Sequence, residues 1–192
     1  NPLVGVLKKV KQLKLGAEVA SQGELNTAII AGFSFHEIVQ DSPVKTRSEL
    51  AFALKNHIHI NADSFAELER IAQLKKSIPS TSKIGLRINP QVGYGKILST
   101  SLAGEYSKFG VPLKTYRSEI IDYFSKYDWL SGIHMHIGSQ GCAMEMLLDG
   151  IESGLKLIKE INQRIINSSR KIDFIDIGGG LPVSYHHDIQ AP

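Results

Sequence analysis

The chain has 192 residues, 42% of them hydrophobic and 21% charged, with a formal net charge of +3. That composition suits one sizeable core, and no apolar stretch approaches the roughly 18 residues that a spanning helix needs, so no membrane partner is expected. The small charge argues against a nucleic-acid partner, and the single cysteine, Cys142, excludes an intrachain disulfide and a thiolate metal cluster.

In chain order, short strands alternate with amphipathic helices. Pro2 suits a first helical position, and Leu3, Val6, Val10 and Leu13 recur at helical spacing to about Leu15. Lys8, Lys9, Lys11 and Lys14 are expected on the solvated face of that helix. The pattern predicts strands over residues 17–20, 37–40, 58–62, 84–89, 133–137 and 174–177. Helices are predicted over 23–31, 48–55, 65–76 and 115–126, the last preceded by a long Gly- and Ser-containing loop. A further long helix carries Leu147, Ile151, Leu155, Ile158, Ile161 and Ile165 as its apolar stripe.

Three strand-to-helix junctions share a capping-box spacing: Ser21 with Glu24, Thr46 with Glu49, and Ser64 with Glu67. In each, the hydroxyl can accept from the third helical amide while the glutamate reaches back to the cap amide.

Six strands with intervening helices imply a parallel sheet with helices outside it, and both a doubly wound sheet and a (β/α)8 barrel fit. Polar residues inside the strands favour the barrel, whose inward layer at the strand ends can serve chemistry. Alternation places Gly85, Arg87 and Asn89 on one face, and His134 with His136 on another; Glu18 and Asp176 also interrupt apolar strands.

Two post-strand segments are candidate binding sites. Ile177-Gly178-Gly179-Gly180-Leu181-Pro182 can turn backbone amides toward a phosphate, or be a tight turn that binds nothing. His136-Ile137-Gly138-Ser139-Gln140 offers a ring to cover a planar cofactor and a hydroxyl for a phosphate; a buried, hydrogen-bonded histidine is its alternative. Neither segment is a dinucleotide fingerprint or a Walker motif. His57 with His59, and His134 with His136, lack a third ligand at diagnostic spacing, so no metal site is expected. His186 and His187 read as a loop, and no GxSxG elbow marks a serine hydrolase.

Seven segments in series resemble the fold-type III, pyridoxal-phosphate-dependent decarboxylases, most closely the diaminopimelate branch. They are Gly16-Ala17-Glu18-Val19-Ala20-Ser21-Gln22-Gly23-Glu24-Leu25, Ser42-Pro43-Val44-Lys45-Thr46 and Ile60-Asn61-Ala62-Asp63-Ser64. Leu86-Arg87-Ile88-Asn89-Pro90, Ser107-Lys108-Phe109-Gly110, the segment from Gly132 to Gln140, and Ile177-Gly178-Gly179-Gly180 complete the series.

The resemblance implies pyridoxal 5'-phosphate as cofactor, with His136 stacked on its ring and Ser139 and Gly178, Gly179 and Gly180 at its phosphate. Arg87 and Glu18 match inward-facing cofactor positions, Glu18 standing where relatives commonly have aspartate, and Lys45 matches a position of polar support. It further implies an incomplete (β/α)8 barrel over residues 1–192, lacking the first and last barrel strands, with a carboxy-terminal β-domain absent. The cofactor-linking lysine is then expected upstream of Asn1, and these residues alone are expected to be inactive. The parent is expected to be a cytoplasmic, homodimeric enzyme that removes the α-carboxylate of a small amino acid, the cofactor acting as electron sink. The other reading is a non-catalytic homologue that binds or regulates partners. From the opening Asn1-Pro2 no secretory leader is expected.

Overall fold

Within Asn1–Leu86, four parallel strands lie side by side in chain order, each reached through a helix. The computed structural model describes residues 3–93, 103–139, 142–165 and 170–181, and packing divides the chain into this first unit and a second, Arg87–Pro192. The sequence readings of Asn1, Pro2, Gln140, Pro182, His186, His187 and the middle of the Gly- and Ser-containing loop lie outside the described residues.

The first unit runs α1 (Val4–Gln12), β1 (Ala17–Val19), α2 (Gln22–Ile30), a 3-10 turn (Phe35–Glu37) and β2 (Ile38–Gln40). It continues through α3 (Arg47–Lys55), β3 (His59–Ala62), α4 (Phe65–Lys75) and the first half of β4 (Ile84–Asn89). Register decides which residues share a face. Glu18 pairs with Val39 and Val39 with His59, while Val19 pairs with Gln40 and Gln40 with Ile60. The second set faces helices, α2 packing on β1 and both α3 and α4 on β3. Leu25, Leu50, Leu54, Ile60, Leu68 and Ile71 are fully buried in this core. Each such side chain contributes about 1.5–3 kcal/mol relative to exposure.

The helix starts follow the hydroxyl caps, with one correction. Ser21, Thr46 and Ser64 accept from the amides of Glu24, Glu49 and Glu67 at 3.2, 3.2 and 3.3 Å. Only Glu49 returns to its own cap amide, at 2.6 Å. Glu24 and Glu67 reach one residue further, to the amides of Ala20 and Asp63, because the chain enters these helices directly from β1 and β3 in extended form.

The first helix also departs from expectation. Leu3, Val6 and Leu13 are exposed, and α1 buries no residue completely. Lys11 leaves the solvated set: its Nζ donates to Glu37 Oε2 at 2.7 Å and lies over the Phe33 ring.

The second unit begins with the rest of β4, which pairs in parallel with the two-residue β5 (Val111–Pro112). It continues with α5 (Leu113–Lys126), β6 (Leu130–His134), α6 (Met144–Arg164) and β7 (Phe174–Asp176), the last two strands being parallel neighbours. Arg117 joins α5 to α6 by a two-pronged bond to Glu160, at 2.8 and 2.6 Å. The guanidinium of Arg170 donates to the carbonyls of Phe124 and Tyr127, satisfying the carboxyl end of α5.

Two expectations shift here. Strand β6 ends at His134, so His136 lies beyond it and the expected shared face with His134 is broken. The buried face of α6 is also rotated, to Leu147, Gly150, Gly154, Leu157 and Ile161, leaving Leu155 about half exposed at 51%. The cause is steric. A Cβ on Gly150 would stand 2.3 Å from Ile137, and one on Gly154 would stand 2.2 Å from Met135, so the bare glycine side lets the helix settle close.

Candidate functional site

The end of β6 and the end of β7 are register partners, His134 opposite Asp176, and the two candidate motifs start immediately after them. His134 is fully buried, with Nδ1 3.1 Å from Asp176 Oδ2. The other carboxylate oxygen, Oδ1, accepts from the Gly178 amide at 2.9 Å, an Asx turn that lifts the chain out of the strand. The Met135 amide donates to the Asp176 carbonyl at 2.9 Å, holding the two segments in step.

Gly178 and Gly180 have φ of +67° and +89°, a region that side chains with a Cβ rarely adopt. Space imposes the same demand. A Cβ on Gly178 would lie 2.6 Å from His136 Nδ1, and one on Gly180 would lie 1.7 Å from the Gly138 carbonyl oxygen. The Gly179 amide donates to His136 Nδ1 at 3.1 Å. Since a backbone N–H can only donate, Nδ1 is the accepting nitrogen and the neutral ring carries its proton on Nε2. His136, Gly138, Ser139 and the triglycine turn are thus one cluster, with Ser139 exposed at its edge.

The turn borders an apolar space. Ile137, Leu147, Ile151, Ile177 and Leu181 help line a small cavity of about 80 Å³ together with Gly178 and Gly179. Cys142 is buried, and burial pushes its thiol up, which disfavours the thiolate needed for nucleophilic or metal chemistry.

Arg87 is held by a second motif. It is buried on β4, its guanidinium 4.9 Å from the Phe109 ring centroid, and Gly110 turns against it with φ of +69°. Ser107-Lys108-Phe109-Gly110 therefore provides an aromatic platform for an arginine. Glu18 is the central residue of β1 in the first unit, in register with Val39.

Lys45 is buried, and its three donors are committed. Nζ contacts the Ser42 carbonyl at 2.5 Å, the Asn61 carbonyl at 2.8 Å and Glu67 Oε2 at 3.0 Å. An ammonium so held is a clamp between the β2–α3 connection, β3 and α4. His57, weighed as a ligand in the sequence, follows the Asn56 C-cap of α3, and its Nδ1 accepts from the Thr81 amide at 3.2 Å.

The sequence places Asp176 among strand polar residues that could form a layer near the barrel mouth, without naming it as a cofactor residue. Its Asp-x-Gly spacing to Gly178 is the local signal of the turn that the structure reveals.

Residues 1–191 match the family described as pyridoxal-dependent decarboxylase, pyridoxal binding domain. The chain belongs to this family. The diaminopimelate decarboxylase of Buchnera aphidicola is 33% identical over 190 residues, covering 97% of this chain and 42% of that protein. Among solved structures, Helicobacter pylori diaminopimelate decarboxylase complexed with L-lysine superposes with a TM-score of 0.79 at 31% identity, covering 98% of this chain and 48% of that one. The enzyme from M. jannaschii, also with L-lysine, gives 0.83 at 26%, covering 100% and 44%.

This pyridoxal-dependent decarboxylase domain thus has an incomplete (β/α)8 barrel fold, which sets the doubly wound alternative aside. Its cofactor is pyridoxal phosphate. The chain spans less than half the length of the relatives it matches. None of the described helices is long and apolar enough to cross a membrane.

Proposed function

We propose that the protein containing this domain removes the α-carboxylate of a diamino acid of the diaminopimelate kind. The observation that carries this reading is the packing of the triglycine turn against His136, Gly138 and Ser139, a cradle that a single Cβ would fill. Pyridoxal phosphate, when bound, supplies the electron sink for the bond to the departing carboxylate.

The residues of this chain bind and orient. Ser139 and the Gly178–Gly180 turn would hold the phosphate, the Gly180 amide and the Ser139 hydroxyl serving as donors because Gly178 and Gly179 already donate to Asp176 and His136. His136 would cover the cofactor ring, its Nδ1 fixed by the Gly179 amide. Arg87, stiffened by Phe109, brings a permanent positive charge to the end of β4. For Glu18 the support is the family resemblance. Lys45 is not the cofactor-linking lysine, because its donors are already committed.

The names of the relatives support the substrate class, and the lysine complexes support a site that accepts a diamino acid. A homodimer in the cytoplasm belongs to the same reading and rests on the resemblance. The test is to load the full-length protein with pyridoxal phosphate, trap the cofactor with borohydride and locate it by mass spectrometry. Carbon dioxide release is then compared across diaminopimelate, lysine, ornithine and arginine. A lysine-linked cofactor with preferential release from diaminopimelate supports the proposal; absence of any lysine-linked cofactor sinks it.

A further inference from the structure

We propose that Asp176 is a positioning residue that shapes the triglycine turn and, through the turn, sets which nitrogen of His136 carries the proton. This inference rests on the cofactor reading above and deepens it.

Asp176 is the last residue of β7, and both of its carboxylate oxygens are engaged in different directions. Oδ2 faces His134 Nδ1 at 3.1 Å, and Oδ1 accepts from Gly178 N–H at 2.9 Å. The first contact anchors the carboxylate to a side chain with no solvent exposure at all. The pair is close without meeting hydrogen-bond geometry, so the contact places the carboxylate and assigns no proton to His134.

The second contact sends Gly178 into positive φ, and the next amide, that of Gly179, then arrives at His136 Nδ1, 43 residues away in sequence. Being a donor, it requires that nitrogen to be bare. His136 is therefore held with its proton on Nε2. The cause is the Asp176 turn. The next residue along, Gly180, is pressed against Gly138 and Ser139, so the same carboxylate governs where the outer amide of the turn points.

The consequence for a bound cofactor is specific. His136 presents an uncharged ring with a single outward donor at Nε2, and the turn presents its last amide rather than its first two. Loss of Asp176 frees the Gly178 amide, relaxes the turn and removes the condition that keeps His136 Nδ1 bare.

The experiment uses the full-length protein, its Asp176→Asn, Asp176→Ala and Asp176→Glu variants, and histidine labelled with nitrogen-15. Pyridoxal phosphate affinity is measured by equilibrium titration, and the ring nitrogens of His136 are read by NMR without relying on turnover. In the parent protein His136 should show a protonated Nε2 and a bare Nδ1. Asp176→Ala should weaken cofactor affinity about tenfold or more, as expected for loss of a charge-assisted hydrogen bond, and mix the His136 tautomers. Asp176→Asn, which keeps an oxygen for Gly178, should recover most of the affinity and the parental His136 pattern. Should Asp176→Ala not fold, Asp176→Glu decides, since it keeps the charge but moves the acceptor away from Gly178: parental affinity with parental His136 resonances overturns the inference. So does a folded alanine variant with parental affinity and parental His136 resonances. A parent protein that binds no pyridoxal phosphate counts against the cofactor reading instead, and the tautomer comparison still tests the role of Asp176.

Discussion

The carbonyl oxygen of Gly138 occupies the position that a Cβ on Gly180 would need, leaving only 1.7 Å between them. Two motifs more than forty residues apart are thus fitted backbone to backbone. Gly180→Ala should therefore disrupt the turn, through both contact and its φ of +89°. A destabilisation of at least about 1–2 kcal/mol is expected from the dihedral alone. The same substitution at Gly5, exposed in α1 with no neighbour within 4 Å of its Cβ, should stabilise by roughly 0.5–1 kcal/mol. Denaturant unfolding of both variants checks the contrast. Equal effects would remove the steric argument.

Lys45 and Glu67 form an ion pair with essentially no side-chain exposure. Removing one partner strands the other charge in the core, so Lys45→Met or Glu67→Leu alone should cost about 3–5 kcal/mol. The double variant should cost less than the sum of the two, because neither charge is then left behind. A double-mutant cycle by chemical denaturation measures this, and strict additivity would show the pair to be uncoupled.

Gln40 is buried with its side-chain oxygen and nitrogen both lacking a hydrogen-bond partner among the described residues. Gln40→Met nearly preserves volume while removing that burden. The expected result is a gain of about 1 kcal/mol in unfolding free energy. A loss of similar size would mean that the amide is satisfied in solution.

Glu37 is held down to about 2, from an ordinary value of 4.5, first by the hydrogen bond from Lys11 and next by the Ser34 amide. A depressed carboxylate stabilises the folded state when ionised. Its contribution is therefore complete above pH 4.5 and is lost as pH falls from there through about 2. Carbon-13 NMR titration should find the low midpoint, and Lys11→Met should raise it toward the ordinary value. An unmoved midpoint in that variant would exclude Lys11 as the main cause.

Spacing along the chain determined what depends on near neighbours. Hydroxyl caps at Ser21, Thr46 and Ser64 began the helices where expected, because the cap bond spans three residues. The strand alternation and the two post-strand motifs were legible for the same local reasons, and the ordered series of motifs carried the family. Tertiary structure decided what depends on close approach between distant segments. It ended β6 at His134, turned α6 onto Gly150 and Gly154, paired Lys45 with Glu67, and brought the Gly179 amide to His136. Such outcomes follow from which atoms fit within 2 to 4 Å across the core, and neither hydrophobic period nor capping signal carries that distance.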